Sequence, residues 1–243
     1  MSGSRGAAPE PRSVTCASRS RRDTDGMKSA ERRRERMVER DIAGRGVVDA
    51  RVLAAMRAIP REAFVPEPWR DQAFDDRPLP IGAGQTLSQP YIVALMVEAL
   101  QLRGAEHVLE IGTGSGYAAA VLSRLAVQVD TVERIAELAE RATRQLVDLG
   151  IANVRVHCAD GTLGWPDAAP YDAIVVAAGG PTVPLALQDQ LGPGGRLVMP
   201  VGAGRGWQDL VRMTRVGPDE YRTESLCEVA FVPLVGAQGW GEG

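Results

Sequence analysis

The sequence predicts an α/β fold: a mostly parallel central sheet with helices on both faces and a helical extension at the N-terminus. Three observations carry this prediction. Beyond Gly104, short apolar runs alternate with helical segments, as they do in strands that are buried on both faces. The stretch Gly112-Thr113-Gly114-Ser115-Gly116 stands where the first of those strands meets its helix. Glu133 follows the second strand, about 20 residues after the first of those glycines, where open parallel sheets present an acid to a ligand.

Taken in order, residues 1–27 are rich in Ser, Arg, Gly and Pro, with Arg12, Arg19, Arg21 and Arg22 giving a basic character. So little apolar surface cannot offset the entropy of ordering, and a disordered tail is expected. Residues 28–243 are expected to form one domain, with a helical lobe and a loop segment over 28–103 and the α/β core over 104–243. Ala30 to Ile42 reads as a solvated helix broken at Gly44 and Gly46, and Asp49 as the N-cap of a second helix ending at Ala58. Pro60, Pro66, Pro68, Pro78 and Pro80 punctuate an irregular connection running on through Ile81 to Gln89. Pro90 suits the first turn of a helix reaching Leu100.

Parallel strands are expected at His107 to Ile111, Gln128 to Val132, Val154 to Cys158, Ala173 to Val176 and Arg196 to Met199. Helices are expected between them at Tyr117 to Leu125, Ile135 to Leu149 and Pro184 to Leu191. Two further strands, Leu210 to Thr214 and Cys227 to Val232, should close the sheet as an antiparallel edge, because no crossover helix separates them.

The 243 residues, 44% of them hydrophobic, suffice for one substantial core. A formal net charge of -3 gives no broad positive field, which argues against a nucleic-acid partner. Cys16, Cys158 and Cys227 form no CxxC pair, so neither a zinc knuckle nor a disulfide framework is expected, and a reducing compartment fits. No apolar run reaches the roughly 18 residues of a spanning helix, and the expectation is a cytoplasmic monomer without a membrane partner. His107 and His157 sit inside predicted strands without metal-ligand spacing, so they are read as satisfied structural groups and no metal is expected.

The chemistry gathers at one sheet edge. Glycines in the turn allow a ligand to approach the backbone closely. Glu110, Glu133 and Asp160, the last followed by Gly161, would stand at the carboxyl ends of neighbouring strands. Such a cluster suits an adenosine cofactor that carries cationic groups, with Glu133 placed to accept ribose hydroxyls. The alternative is that Glu133 and Asp160 are helix caps or turn residues.

The segment Leu79 to Tyr91, with GQTLSQP at its centre, followed by LEIGTGSGY at Leu109, resembles the protein-L-isoaspartate O-methyltransferase family. Further matching stretches are IPREAFVP from Ile59, VERI around Glu133, PYDAIVV from Pro170, GPGGRLVMPVG from Gly192 and FVPLVG from Phe231. The likeness runs in order over roughly residues 37–240. Departures are Leu87 for isoleucine, Ala159 where glycine is common before Asp160, and Ala178-Gly179-Gly180-Pro181 in place of an Ala/Pro-rich turn.

The resemblance implies a Rossmann-like class I fold that binds S-adenosylmethionine and leaves S-adenosylhomocysteine as product. Gly112, Thr113, Gly114, Ser115, Gly116, Glu110, Glu133, Arg134, Asp160 and Gly161 would hold the cofactor. It also implies a protein or peptide substrate whose isoaspartyl residue has a free α-carboxylate. Such a carboxylate is ionised at neutral pH and needs no general base. Ser88 would hold the acceptor oxygen, Gln85, Thr86 and Leu87 would close over the site, and Pro200 and Val201 would line the same groove. Ser88 has a rival role as a capping residue before the Pro90 helix. Two other readings use the same scaffold: methylation of aspartate in one dedicated peptide, and a non-catalytic cofactor-binding module.

Overall fold

The computed structural model describes residues 29–204 and 206–241, and the expected tail over 1–27 lies outside them. Residues 29–37 form helix α1. The expected continuation to Ile42 changes character: Val38–Ile42 is a π-helical turn and Ala43–Arg45 a 3-10 turn, ended by Gly46 at φ 102°. Val38 and Ile42 are both fully buried, so the wider turn seats two apolar side chains in the core instead of leaving a solvated helix. Asp49 caps α2 (Ala50–Ala58) as expected, its side chain accepting the Arg51 N–H.

The connection read as irregular contains order that the sequence hid. Leu79–Gly82 (β1) and Gln85–Leu87 (β2) form an antiparallel hairpin. Its tip turns on Ala83 and Gly84, both with left-handed φ, which favours the twist of a tight two-residue hairpin. Pro90 then opens α3 (Pro90–Ala99).

The remaining strands are β3 (His107–Ile111), β4 (Gln128–Glu133), β5 (Val154–Cys158), β6 (Tyr171–Val176), β7 (Leu191–Val201), β8 (Gln208–Arg215) and β9 (Tyr221–Val229). They form one seven-stranded sheet in the order β5-β4-β3-β6-β7-β8-β9. The strands from β5 to β7 are parallel, and β8 and β9 complete the sheet antiparallel. Helices α4 (Tyr117–Leu122), α5 (Ala136–Asp148) and α6 (Leu185–Gln190) connect the parallel part.

Successive residues of the central strands feed two different cores, which explains their unbroken apolar runs. Val108, Ala173, Val175 and Val198 pack with the N-terminal helices, α3, α4 and α5. Their neighbours Leu109, Ile174, Val176 and Leu197 pack on the other face with Leu187 and Leu191. The two histidines fall where satisfied groups were expected: each Nε2 lies 2.6 Å from one oxygen of the buried Asp130 carboxylate.

The last strand departs from expectation. Pairing with β8 begins at Tyr221, in a polar stretch, and ends at Val229. On an edge strand the backbone ladder, rather than apolar content, sets the limits. Residues 230–235, assigned partly to that strand, instead run across the end of β6, where the Gly179 N–H donates to the Val232 carbonyl and the Leu234 N–H to the Gly179 carbonyl (both 2.8 Å).

Candidate active site

The chain reverses its direction of travel across the sheet at β3, with β4 on one side and β6 on the other. Beyond the carboxyl ends of these strands a crevice must open, and a partly open cleft lies there. Its lining includes Glu110 near the end of β3 and, in the turn that follows, Gly112, Thr113, Gly114 and Ser115. The segment Gln85, Thr86, Leu87 and Ser88 lines the same cleft. Glu133, Arg134 and Gly161 complete the polar lining.

The turn is compressed from two sides. Gly114 has φ 54°, and a Cβ there would stand 3.2 Å from Ile81 Cδ1 of the hairpin. Gly116 has φ 88°, and a Cβ there would stand 3.3 Å from Ala142 Cβ of α5. Both positions therefore demand glycine for conformation, and the turn packs directly between hairpin and helix. The hairpin is further tied to α5 by Arg141, which donates to the Ile81 carbonyl.

Three acidic side chains were expected at this edge, and the structure gives each a different environment. Glu133 takes the Gly114 N–H on Oε2 (2.9 Å) and the Ile135 N–H on Oε1 (3.0 Å), so it braces the turn while facing the cleft. Glu110 is only 1% exposed. Burial pushes its carboxyl up to about 8, opposed by the Thr131 hydroxyl, which donates to Oε2 at 2.6 Å, and reinforced by the nearby Glu133 charge. Thr131 Oγ1 also lies 2.7 Å from Thr113 Oγ1, extending the network to the turn. Asp160 stands behind the lining. Its Oδ1 accepts from Thr162 N (2.9 Å) and Thr162 Oγ1 (2.7 Å), and its Oδ2 from Ala237 N (2.8 Å). Burial works against the charge of Asp160, yet these donors win and hold its carboxyl below the ordinary value. The capping alternative thus describes Asp160 well, whereas Glu133 both braces the turn and faces the cleft.

Ser88 lies half-buried on the cleft wall. The N-cap of α3 is Gln89, and that helix start has no side-chain capping bond, so Ser88 does not fill its rival role. Gly116 faces α5 rather than the cleft. Pro200 and Val201 are not brought to this lining. Both belong to β7, the Pro200 carbonyl accepts the Gly180 N–H (3.1 Å), and Val201 bridges to Gly180. Residues that the sequence reading did not assign to the site complete the apolar walls: Val93, Ala118, Ala177 and the segment Val232–Val235. The FVPLVG stretch was the available signal for the last of these.

The Ser115 hydroxyl is buried against the cleft without a hydrogen-bond partner. An orphaned polar group beside two carboxylates and close-approach glycines fits a ligand with hydroxyl or amino groups and positive charge. The lining contains no histidine, cysteine or lysine.

A family model described as protein-L-isoaspartate(D-aspartate) O-methyltransferase matches residues 32–239. A protein-L-isoaspartate O-methyltransferase from Rhodopseudomonas palustris is 66% identical over 204 residues, covering 84% of this chain and 94% of that one. One from Brucella anthropi is 51% identical, covering 88% and 98%. A solved structure of a protein-L-isoaspartate O-methyltransferase superposes with a TM-score of 0.76 at 32% identity, covering 85% of this chain and 67% of that one. With fold, cleft and sequence in agreement, the chain belongs to the protein-L-isoaspartate(D-aspartate) O-methyltransferase family.

Proposed function

We propose that this chain transfers a methyl group from S-adenosylmethionine to the free α-carboxylate of L-isoaspartyl residues in damaged proteins and peptides. The observation that carries the reading is a single cleft lined by both the Gly112–Ser115 turn and the Gln85–Ser88 segment. Two segments well apart in sequence supply the two things a group transfer needs, a donor seat and an acceptor seat.

Glu133 and the turn would hold the ribose, with Arg134 and Gly161 alongside. Ser115, Thr113 and Glu110 would meet the amino-acid part. Asp160 acts behind them by fixing the Gly161 corner. When bound, the cofactor supplies a methyl group made electrophilic by its sulfonium. Ser88 orients the acceptor by donating its hydroxyl to one carboxylate oxygen, leaving the other oxygen free to attack in line. Gln85, Thr86 and Leu87 exclude water, which strengthens that hydrogen bond and strips the acceptor of competing solvent. No residue has to take a proton, because the acceptor is ionised before it arrives. The ester then loses methanol as the neighbouring backbone nitrogen closes a succinimide, and hydrolysis of that ring partly restores aspartate.

Among the described residues no helix is long and apolar enough to cross a membrane. The reading places the enzyme in the cytoplasm as a monomer acting on flexible damaged segments, without a nucleic-acid or membrane partner. The test is labelled S-adenosylmethionine with an isoaspartyl peptide and its aspartyl twin. Label on the isoaspartyl peptide alone supports the reading, and equal label on both defeats it.

A further inference from the structure

Arg61 comes from the IPREAFVP stretch and sits in a 3-10 turn, Arg61–Phe64, with 0% of its surface exposed. Its Nε donates to the Ala73 carbonyl and its Nη2 to the Ser88 carbonyl, both at 2.8 Å. The guanidinium carbon lies 4.8 Å from the centre of the Tyr117 ring. Tyr117 is the first residue of α4, directly after Gly116, and it lines the cleft. One side chain therefore touches the acceptor segment and the start of the helix that follows the glycine turn.

Stability is a poor explanation for this arrangement. A fully buried cation is costly, and its Nη1 is buried with no acceptor, so one donor is left unsatisfied. An apolar side chain of similar length would avoid both penalties. What an apolar side chain cannot do is span two carbonyls with a rigid planar fork while stacking on an aromatic face.

We propose that Arg61 is a positioning residue that pins the Ser88 backbone against the beginning of α4, fixing the Ser88 hydroxyl relative to the cofactor turn. The inference rests on the carboxyl methylation proposed above. Its consequence is kinetic: a displacement of about 1 Å at the acceptor seat can cost on the order of 100-fold in rate, while the cofactor turn keeps its own bracing bonds from Glu133.

The test compares Arg61→Lys and Arg61→Met with the unaltered protein, using an isoaspartyl peptide for kinetics and calorimetric binding of S-adenosylhomocysteine for the cofactor seat. Rates are expressed per S-adenosylhomocysteine-binding site, so unfolded material does not count. The lysine variant keeps the charge on a single donor nitrogen but loses the planar fork, and should lose roughly 10-fold in kcat, with the methionine variant losing on the order of 100-fold. Affinity for S-adenosylhomocysteine should be unchanged in both. Adding Ser88→Ala to Arg61→Lys should cost less than the product of the two single losses, because both act on one oxygen. Parallel losses of rate and affinity, unchanged rates, multiplicative losses, or failure of both variants to bind S-adenosylhomocysteine would each overturn the proposal. An unaltered protein that leaves the peptide unlabelled would instead overturn the functional reading, and this inference with it.

Discussion

Glu110 allows a sharp prediction, because its burial and its place in the cleft pull in opposite directions. In the folded protein without cofactor its carboxyl is pushed up to about 8 from an ordinary 4.5, chiefly by burial. Between those two values the native state holds a proton that the unfolded chain releases. A raised acid of this kind favours folding fully below pH 4.5, and that advantage is lost as pH climbs through 8. At ~1.4 kcal/mol per unit, the loss reaches about 3 kcal/mol at pH 7 and roughly 5 kcal/mol above pH 8.

Glu110→Gln removes the titration while keeping the shape and an acceptor for the Thr131 hydroxyl, which now stands 2.6 Å away. The variant and the parent should have equal stability near pH 4.5. By pH 7 the variant should be more stable by about 3 kcal/mol, a rise in Tm of roughly 6–12 °C for a chain of this size. Urea or thermal unfolding without cofactor, at half-unit steps from pH 4.5 to 8.5, reads this directly. Two stability curves that run parallel across the whole range would refute the reasoning, because they would show that Glu110 does not hold a proton in the fold. The same substitution should weaken S-adenosylmethionine binding, since it deletes a group able to ionise beside a cationic ligand.

Ser88→Ala should reduce turnover on an isoaspartyl peptide by roughly 10- to 100-fold, the worth of one hydrogen bond to a charged acceptor, with S-adenosylhomocysteine affinity unchanged by calorimetry. Unchanged turnover would remove Ser88 from the acceptor seat. Gly161→Ala would put a Cβ 2.5 Å from Ile111 Cγ2 behind the cofactor wall, so urea unfolding should show a loss of about 1–3 kcal/mol together with weaker S-adenosylhomocysteine binding. A variant as stable as the parent would show that the β3 end yields more easily than its packing suggests.

β3, β4 and β6 were legible because each is a short run buried along nearly all its length, whereas β5 lies at the sheet edge with no fully buried residue and β7 starts at Leu191, five residues before the expected Arg196. Elements that owe their shape to partners were not legible. The hairpin has strands of four and three residues, one containing Pro80, too short for any period to register. β9 starts in polar residues because β8 offers it a ladder. Within the site, the turn and Glu133 could be found because glycine spacing and strand ends have local signatures, whereas Ser88 was found through the likeness of the GQTLSQP segment. Arg61 could not, because an arginine in a proline-bounded segment reads as solvated until tertiary packing closes over it. Pro200 and Val201 were assigned by likeness alone; they pair with Gly180, Leu210 and Asp209 and are not among the residues that line the cleft.

A crystal structure of the protein with S-adenosylhomocysteine and an isoaspartyl peptide bound together would examine the shared cleft most directly. The account predicts the homocysteine sulfur beside the Gly112–Ser115 turn and the peptide's α-carboxylate between that sulfur and the Ser88 hydroxyl. A peptide carboxylate seated away from Ser88, or a nucleoside held elsewhere than at Glu133, would contradict it.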